Sequence, residues 1–445
     1  MTVDPSILER IIPSAEEKER INRVADEIRE KACQELARRN LDAEVRLMGS
    51  VAKGTYLCDP DLDIFLLFPP DFPSSRLEEE GLAIGDAILK GEKMYADHPY
   101  IRGIYQGLEV DMVPCYDICD TSCLQSAVDR TPFHTRFILE NLDEKMRDQA
   151  RVLKAFMKGV GTYGAEPQTR GFSGYLIELL VWHYGSFQSV LEAASKWKEG
   201  LVLGDGIKNQ SMQGPLVVYD PVDRRRNVAS AVHVDTFALF ITAARAYLRH
   251  PSSLFFFPVP RTPLTMDEVK QRMDGRGSRL LTVSFSRPCI NHENLEAQMW
   301  KAEEGLAKVL ESLGFHVLGS AHVVEDGLIF AFELEDDVLP PVRLHVGPPV
   351  WVSEAERFLH KWEEMGLDRP TIKNGRWQVM VARDPRDAVS LLQGEKERIS
   401  LGQNMDVESM CVHGHQESLQ ADMAVVLSRL LDRRYPWEIP EPQAE

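Results

Sequence analysis

Between residues 15 and 38, apolar side chains recur at helical spacing: Ile21, Val24, Ala25, Ile28, Ala32 and Leu36. Ser14, with Glu17 three residues on, supplies a capping box, so the helix begins just after Ser14. The period then changes. Residues 44–48, E-V-R-L-M, alternate as a strand does. Residues 62–68, L-D-I-F-L-L-F, are almost continuously apolar, the pattern of a strand buried on both faces, and Pro69-Pro70 ends it. Residues 108–113, L-E-V-D-M-V, predict another strand, closed by Pro114. From about 143 to 250 the pattern is helical. Met146, Ala150, Leu153 and Met157 form one stripe, Ser173 caps an apolar segment running through Leu191, and 230–248 forms a third helix. Pro258, Pro260 and Pro263 then mark a linker. Beyond it come a strand at 279–285, a helix at 293–313, a strand from 315, and a hairpin turn at Asp326-Gly327 before L-I-F-A-F. The chain ends in an acidic, proline-bearing tail. The expected class is a multidomain α+β protein, divided at 1–142 (mixed), 143–260 (helical) and 261–445 (α+β).

Composition changes this picture little. A chain of 445 residues that is 44% hydrophobic has ample material for several cores. Seven scattered cysteines form no dense framework, which points to a reducing, cytoplasmic setting. Cys115, Cys119 and Cys123 recur every four residues but lack the paired spacing of a zinc site. No leader pattern opens the chain, and no apolar run approaches the ~18 residues of a membrane span. The net charge of −18 opposes nucleic-acid binding by the surface as a whole. Two local clusters run the other way: Arg272, Arg276, Arg279 and Arg287, and then Lys373, Arg376, Trp377, Arg383 and Arg386.

The candidate chemistry lies in the first region. Asp61 and Asp63 stand two residues apart at the head of a strand, so their side chains share a face. Two adjacent carboxylates repel unless a cation lies between them, and Mg²⁺ takes oxygen ligands of this kind. Asp111, on a second strand of the same character, can complete a two-metal set. Asp59 and Glu109 are acidic neighbours that compete for the same assignment. Gly49-Ser50 precedes the pair by eleven residues, where backbone N–H groups can hold a phosphate, and Lys53 adds a cation.

Gly-Ser, D-x-D and a later lone Asp together resemble the nucleotidyltransferase superfamily typified by DNA polymerase β. Four further segments narrow the match: A-V-D-R-T-P-F-H (127–134), Y-G-A-E (163–166), R-G-F-S-G-Y (170–175) and D-P-V-D-R-R-R-N-V-A (220–229). With them the chain resembles the archaeal, class I CCA-adding enzymes over most of residues 10–260. The resemblance implies a polymerase β-like palm domain, a helical central domain and an α+β RNA-binding tail. It implies addition of C, C and A to the tRNA 3′ end from CTP and ATP without a template. Asp61, Asp63 and Asp111 would be the catalytic, Mg²⁺-binding carboxylates. Gly49, Ser50, Lys53, His134, Lys154 and Tyr163 would contact the nucleotide, and Arg226 would read its base, with Arg224 and Arg225 as neighbours in register. The partners implied are the acceptor and TΨC region of tRNA and a second copy of the chain. By residue type alone, His134 and Tyr163 serve equally as packed residues and Lys154 as a solvated charge. Two rival functions share these features: a poly(A)- or oligoadenylate-type polymerase, and a non-catalytic RNA-binding protein.

Overall fold

The computed structural model describes residues 4–58, 60–95, 99–210, 212–290, 292–419 and 423–440. Asp59 and the last five residues of the acidic tail lie outside them. The chain forms two compact units. One comprises the residues up to Pro260 together with the segment from Tyr435 onward; the other runs from Arg261 to Arg434. The tail segment at 435–440, expected to belong to the third region, therefore packs with the first unit. The reason is aromatic: Trp437 is buried and stacks on Phe255 at 5.1 Å.

In the first unit, helix α1 (Pro5–Ile11) precedes α2 (Ala15–Arg38), whose capping box and six-residue buried stripe are those expected. Strand β1 (Glu44–Met48) leads through a short helical turn, α3 (Gly49–Lys53), to β2 (Leu62–Phe68). Helix α4 (Ser74–Leu89), β3 (Glu92–Tyr95), β4 (Pro99–Tyr105) and β5 (Leu108–Tyr116) follow. The strands form one mixed sheet in the order β1-β2-β5-β4-β3. Alternation divides β2 between two faces. Leu62, Ile64 and Leu66 join the core beneath α2 and α4, while Phe65 and Leu67 join a smaller cluster on the other side. Strand β5 does not stop at Pro114. Its β4 partner runs out after the Ile101–Met112 pair, so Pro114 meets only β2, where a missing N–H costs no ladder bond.

Helices α5 (Thr131–Asn141), α6 (Glu144–Val160), α7 (Gly174–Tyr184) and α8 (Phe187–Ala194), the two-stranded β6 (Leu201–Leu203) and β7 (Leu216–Val218), and α9 (Val234–Arg249) complete this unit. Phe156 of α6 is its centre, in contact with Phe187, Phe240, Tyr247, Phe255 and Phe256. Ser173 caps α7 as expected, but the apolar segment is two helices. Gly185 takes a positive φ of 91° and Ser186 caps the second helix.

The second unit begins with α10 (Met266–Arg276), β8 (Arg279–Ser286), α11 (His292–Leu313), and the hairpin of β9 (Val317–Val324) and β10 (Gly327–Leu334). A second sheet joins β11 (Val342–Pro349), β12 (Thr371–Lys373) and β13 (Arg376–Ala382), with α12 (Glu354–Met365) against it. Then come α13 (Ala388–Gly394), β14 (Cys411–His413), α14 (His415–Ser418) and α15 (Ala424–Leu431). The first sheet has the order β14-β8-β10-β9, the second β11-β13-β12. Among the described residues, no helix is long and apolar enough to cross a membrane.

Candidate active site

Parallel pairing of β2 with β5 sets Asp63 directly opposite Asp111. Asp61 lies two residues before Asp63, exposed at the rim. The three carboxylates thus gather on the sheet face opposite α2 and α4. Glu109, on the same face of β5, lies two residues short of the Asp63 register. Burial and then the Asp111 charge raise the Asp63 carboxyl to about 7, and the same two causes raise Asp61. Gly49, with φ of +66°, passes so close that a Cβ there would sit 1.7 Å from Asp63 Oδ2. Only glycine meets both demands, and the turn it makes pins Asp63 from the β1 side. On the other side Arg102 of β4 forks onto Asp111, its Nε and Nη2 each donating at 2.8 Å.

The cations expected at the phosphate lie in a buried network. Lys53 Nζ donates to Glu178 Oε2 at 2.9 Å, and Lys154 Nζ donates to Glu178 Oε1 at 2.9 Å. Lys154 also donates to the hydroxyl and carbonyl oxygens of Thr55, at 3.0 and 3.2 Å. Both lysines are buried, so Lys154 is no solvated charge. Burial would raise Glu178, but Lys154 and Lys53 together hold it down at about 2; burial also lowers Lys154. Tyr163 is largely enclosed, and burial followed by the Glu178 charge pushes its hydroxyl up to about 12. A Cβ on Gly174 would lie 3.4 Å from the Tyr163 hydroxyl and 3.6 Å from Lys154 Nζ, so both side chains converge on the start of α7. Ser50, in the first turn of α3, is half-buried.

A second carboxylate, fully buried Asp220, gathers His134, Tyr175 and Arg226. It accepts from Arg226 Nη1 at 3.0 Å, the Tyr175 hydroxyl at 3.1 Å and the Val222 N–H at 3.1 Å, and pairs with His134 Nε2 at 2.8 Å. The His134 ring stacks on Tyr175 with centroids 3.9 Å apart. Burial lowers His134 despite the Asp220 bond. Arg226 opens onto a cavity of about 420 Å³ shared with Thr121, Arg130 and Asp223. Its neighbours differ: Arg224 donates to the Asp205 carbonyl at 3.4 Å, and Arg225 projects at the surface. Of the three arginines, Arg226 alone is tied to Asp220 among the described residues.

Three matches with known proteins fall on this architecture. A nucleotidyltransferase domain covers residues 26–141, a tRNA nucleotidyltransferase second domain 148–257, and the C-terminal domain of CCA-adding enzymes 276–415. The chain is 40% identical over 424 residues to the CCA-adding enzyme of Methanothermobacter thermautotrophicus, covering 92% of each. It is 37% identical to that of Methanoregula boonei, over 95% and 94% of the two chains, and 36% identical to that of Halobacterium salinarum, over 94% of each. The chain belongs to the CCA-adding enzymes. It is an archaeal-type, class I tRNA nucleotidyltransferase that uses nucleoside triphosphates, tRNA and a divalent metal.

Within this CCA-adding enzyme four site residues escaped sequence reasoning: Arg102, Tyr175, Glu178 and Asp220. A charge inside an apolar helix was the one signal available for Glu178. The cysteine trio dissolves. Cys115 is buried in β5, while Cys119 and Cys123 lie at the surface, within 4.8 Å of Asp120. Asp120 Oδ1 accepts the Ser122 N–H at 2.7 Å, and its Oδ2 accepts from the Cys119 thiol at 3.7 Å. In the second unit the first basic cluster is bound internally. Arg276 donates to Glu333 and Arg272 to the Leu431 carbonyl, at 2.8 and 3.1 Å.

Proposed function

We propose that Asp61, Asp63 and Asp111 hold two Mg²⁺ ions for template-free addition of C, C and A to the tRNA 3′ end. The observation that carries this is the in-register pair Asp63–Asp111, with the Gly49 backbone against one carboxylate. An all-oxygen set in which the Asp111 charge raises Asp63 and Asp61 fits a hard divalent cation. Held by these three carboxylates, such cations would supply Lewis-acid activation of the terminal hydroxyl toward the α-phosphorus and neutralisation of the pyrophosphate charge.

The remaining roles belong to the chain's own groups. Ser50 and the first N–H groups of α3 receive the triphosphate. Lys53, which spends one bond on Glu178, turns its remaining N–H groups to it. Lys154, whose three N–H groups are committed, acts through Glu178 and Thr55 by holding Lys53 in place. Arg226, fixed by Asp220, presents its fork to the O2/N3 edge of cytosine or the ring nitrogens of adenine. His134 and Tyr175 stiffen that support, and Tyr163 closes the phosphate side. The second unit grips the acceptor and TΨC region through backbone contacts. The enzyme works in the cytoplasm, as a homodimer.

The test uses three tRNA transcripts, ending at the discriminator base, after C and after CC. Each receives labelled CTP, ATP or both with Mg²⁺. Two C additions, then one A and a stop, are expected. Long A tails would move the assignment to a poly(A)-type polymerase, and binding without incorporation to a non-catalytic RNA-binding protein.

A further inference from the structure

Arg102 is the register partner of Asp111 across β4 and β5. Its Nε and Nη2 take one Asp111 oxygen each, at 2.8 Å. Its Nη1 lies 3.3 Å from Glu109 Oε1, on the same face of β5 and closer to solvent. The guanidinium therefore has two anionic seats side by side: Asp111, whose side chain is 12% exposed, and Glu109, 42% exposed. A two-point fork is a strong and planar hold on a carboxylate. It also competes with any cation that needs the same oxygens. Gly49 pins Asp63 through packing. Asp111 is instead held by a charge, which an arriving cation can displace.

Resting on the assignment of Asp111 as a cation ligand, we propose that Arg102 is a positioning residue that gates the site. It keeps Asp111 ordered and neutralised until a nucleotide brings its cation, then moves its fork toward Glu109. A free divalent ion must displace Arg102 with its own affinity alone. A nucleotide-borne ion arrives with the added contacts of Lys53, Ser50 and Arg226, and linkage makes those contacts drive the exchange. The gate thus sets an order, nucleotide and cation together, and keeps the tRNA hydroxyl from being activated beside an empty nucleotide pocket.

The experiment is Mn²⁺ binding by electron paramagnetic resonance, on full-length metal-free enzyme with and without CTP. Asp111→Asn is expected to weaken Mn²⁺ binding in both conditions. Arg102→Ala should tighten binding to the nucleotide-free enzyme by about tenfold, the effect of removing one positive charge near a divalent ion in a solvated site. Arg102→Lys, which retains the charge but not the fork, should tighten it less. The gain in Mn²⁺ affinity on adding CTP should shrink in Arg102→Ala. If Asp111→Asn loses the ion but Arg102→Ala binds it no more tightly than the parent, the gate is wrong and the cation site stands. If Asp111→Asn binds Mn²⁺ like the parent, the reading of Asp111 fails and the gate with it. Should Arg102→Ala fold poorly by circular dichroism, the Lys variant carries the comparison.

Discussion

The first unit builds two groups of carboxylates by opposite rules. On the sheet, Asp61 and Asp63 sit beside Asp111 with Arg102 as the nearby fork, and Asp61 and Asp63 are raised. In the helical block, Glu178 accepts from two lysines and Thr55, and Asp220 from an arginine, a tyrosine and a backbone N–H while paired with a histidine. Both of these are lowered, because the bonds overcome the burial. Similar acidic groups thus serve different ends. Glu178 and Asp220, fully buried with their partners supplied by the chain, are scaffold. Asp61 and Asp63, left facing Asp111, are short of positive charge, a deficit that a divalent ion would fill.

Removing one member of each group separates the rules most sharply. Asp63→Asn is expected to cut CMP incorporation by at least about a thousandfold, since several kcal/mol of transition-state stabilisation depend on the cations it would hold. The fold and tRNA binding should survive, because the Asp63 side chain makes no hydrogen bond or ion pair among the described residues. Parent-like turnover of that variant would overturn the assignment. Gly49→Ala should reproduce most of this loss by displacing the same carboxylate, and should also cost about 1–2 kcal/mol for a left-handed backbone. Glu178→Gln should behave in reverse. It strands two buried lysines and should destabilise the unit by ~3–5 kcal/mol in a urea titration, whatever its effect on rate. A midpoint within error of the parent would mean that the lysines find water or other partners. Arg226→Ala should lower kcat/KM for CTP and ATP by roughly a hundredfold while leaving the Mn²⁺ affinity of the nucleotide-free enzyme unchanged. Unchanged use of both nucleotides would put base reading elsewhere.

How much of this was legible in the sequence follows from the range of the interactions. The six-residue stripe of α2, its capping box and the β2 strand all express short periods, and all appear where the pattern puts them. The common face of Asp61 and Asp63 follows from strand alternation alone. Pro114 misled because whether proline ends a strand depends on which neighbour needs its N–H, a property of the sheet. The break at Gly185-Ser186 was written in the residues but masked by the apolar run around it. The scaffold carboxylates were out of reach because their meaning is non-local. Glu178 meets Lys53 across 125 residues, and Asp220 meets His134 across 86. Arg102 meets Asp111 across only nine, yet that contact needs the β4–β5 register before it can be seen.

The same opposition sets the pH dependence of the metal-free enzyme. Asp63 titrates near 7 when folded, against an ordinary carboxylate value of about 4 unfolded. Between those limits the folded protein holds a proton that the unfolded chain has lost, so stability falls as pH rises and levels off above 7. Asp61, raised as well, acts in the same direction. Glu178 does the opposite: held at about 2, it stabilises the fold above the ordinary glutamate range and loses that contribution only as pH drops toward 2. The metal-free protein should therefore melt highest near pH 5 and roughly a few degrees lower at pH 8. Mg²⁺ should raise the melting temperature at pH 8 much more than at pH 5, because only the ionised carboxylates attract it. In Asp63→Asn both the decline and most of the Mg²⁺ gain should flatten, which scanning calorimetry at the two pH values would register. A Glu178→Gln variant that lost the neutral-side decline instead would reverse the assignment of which carboxylates lack a partner.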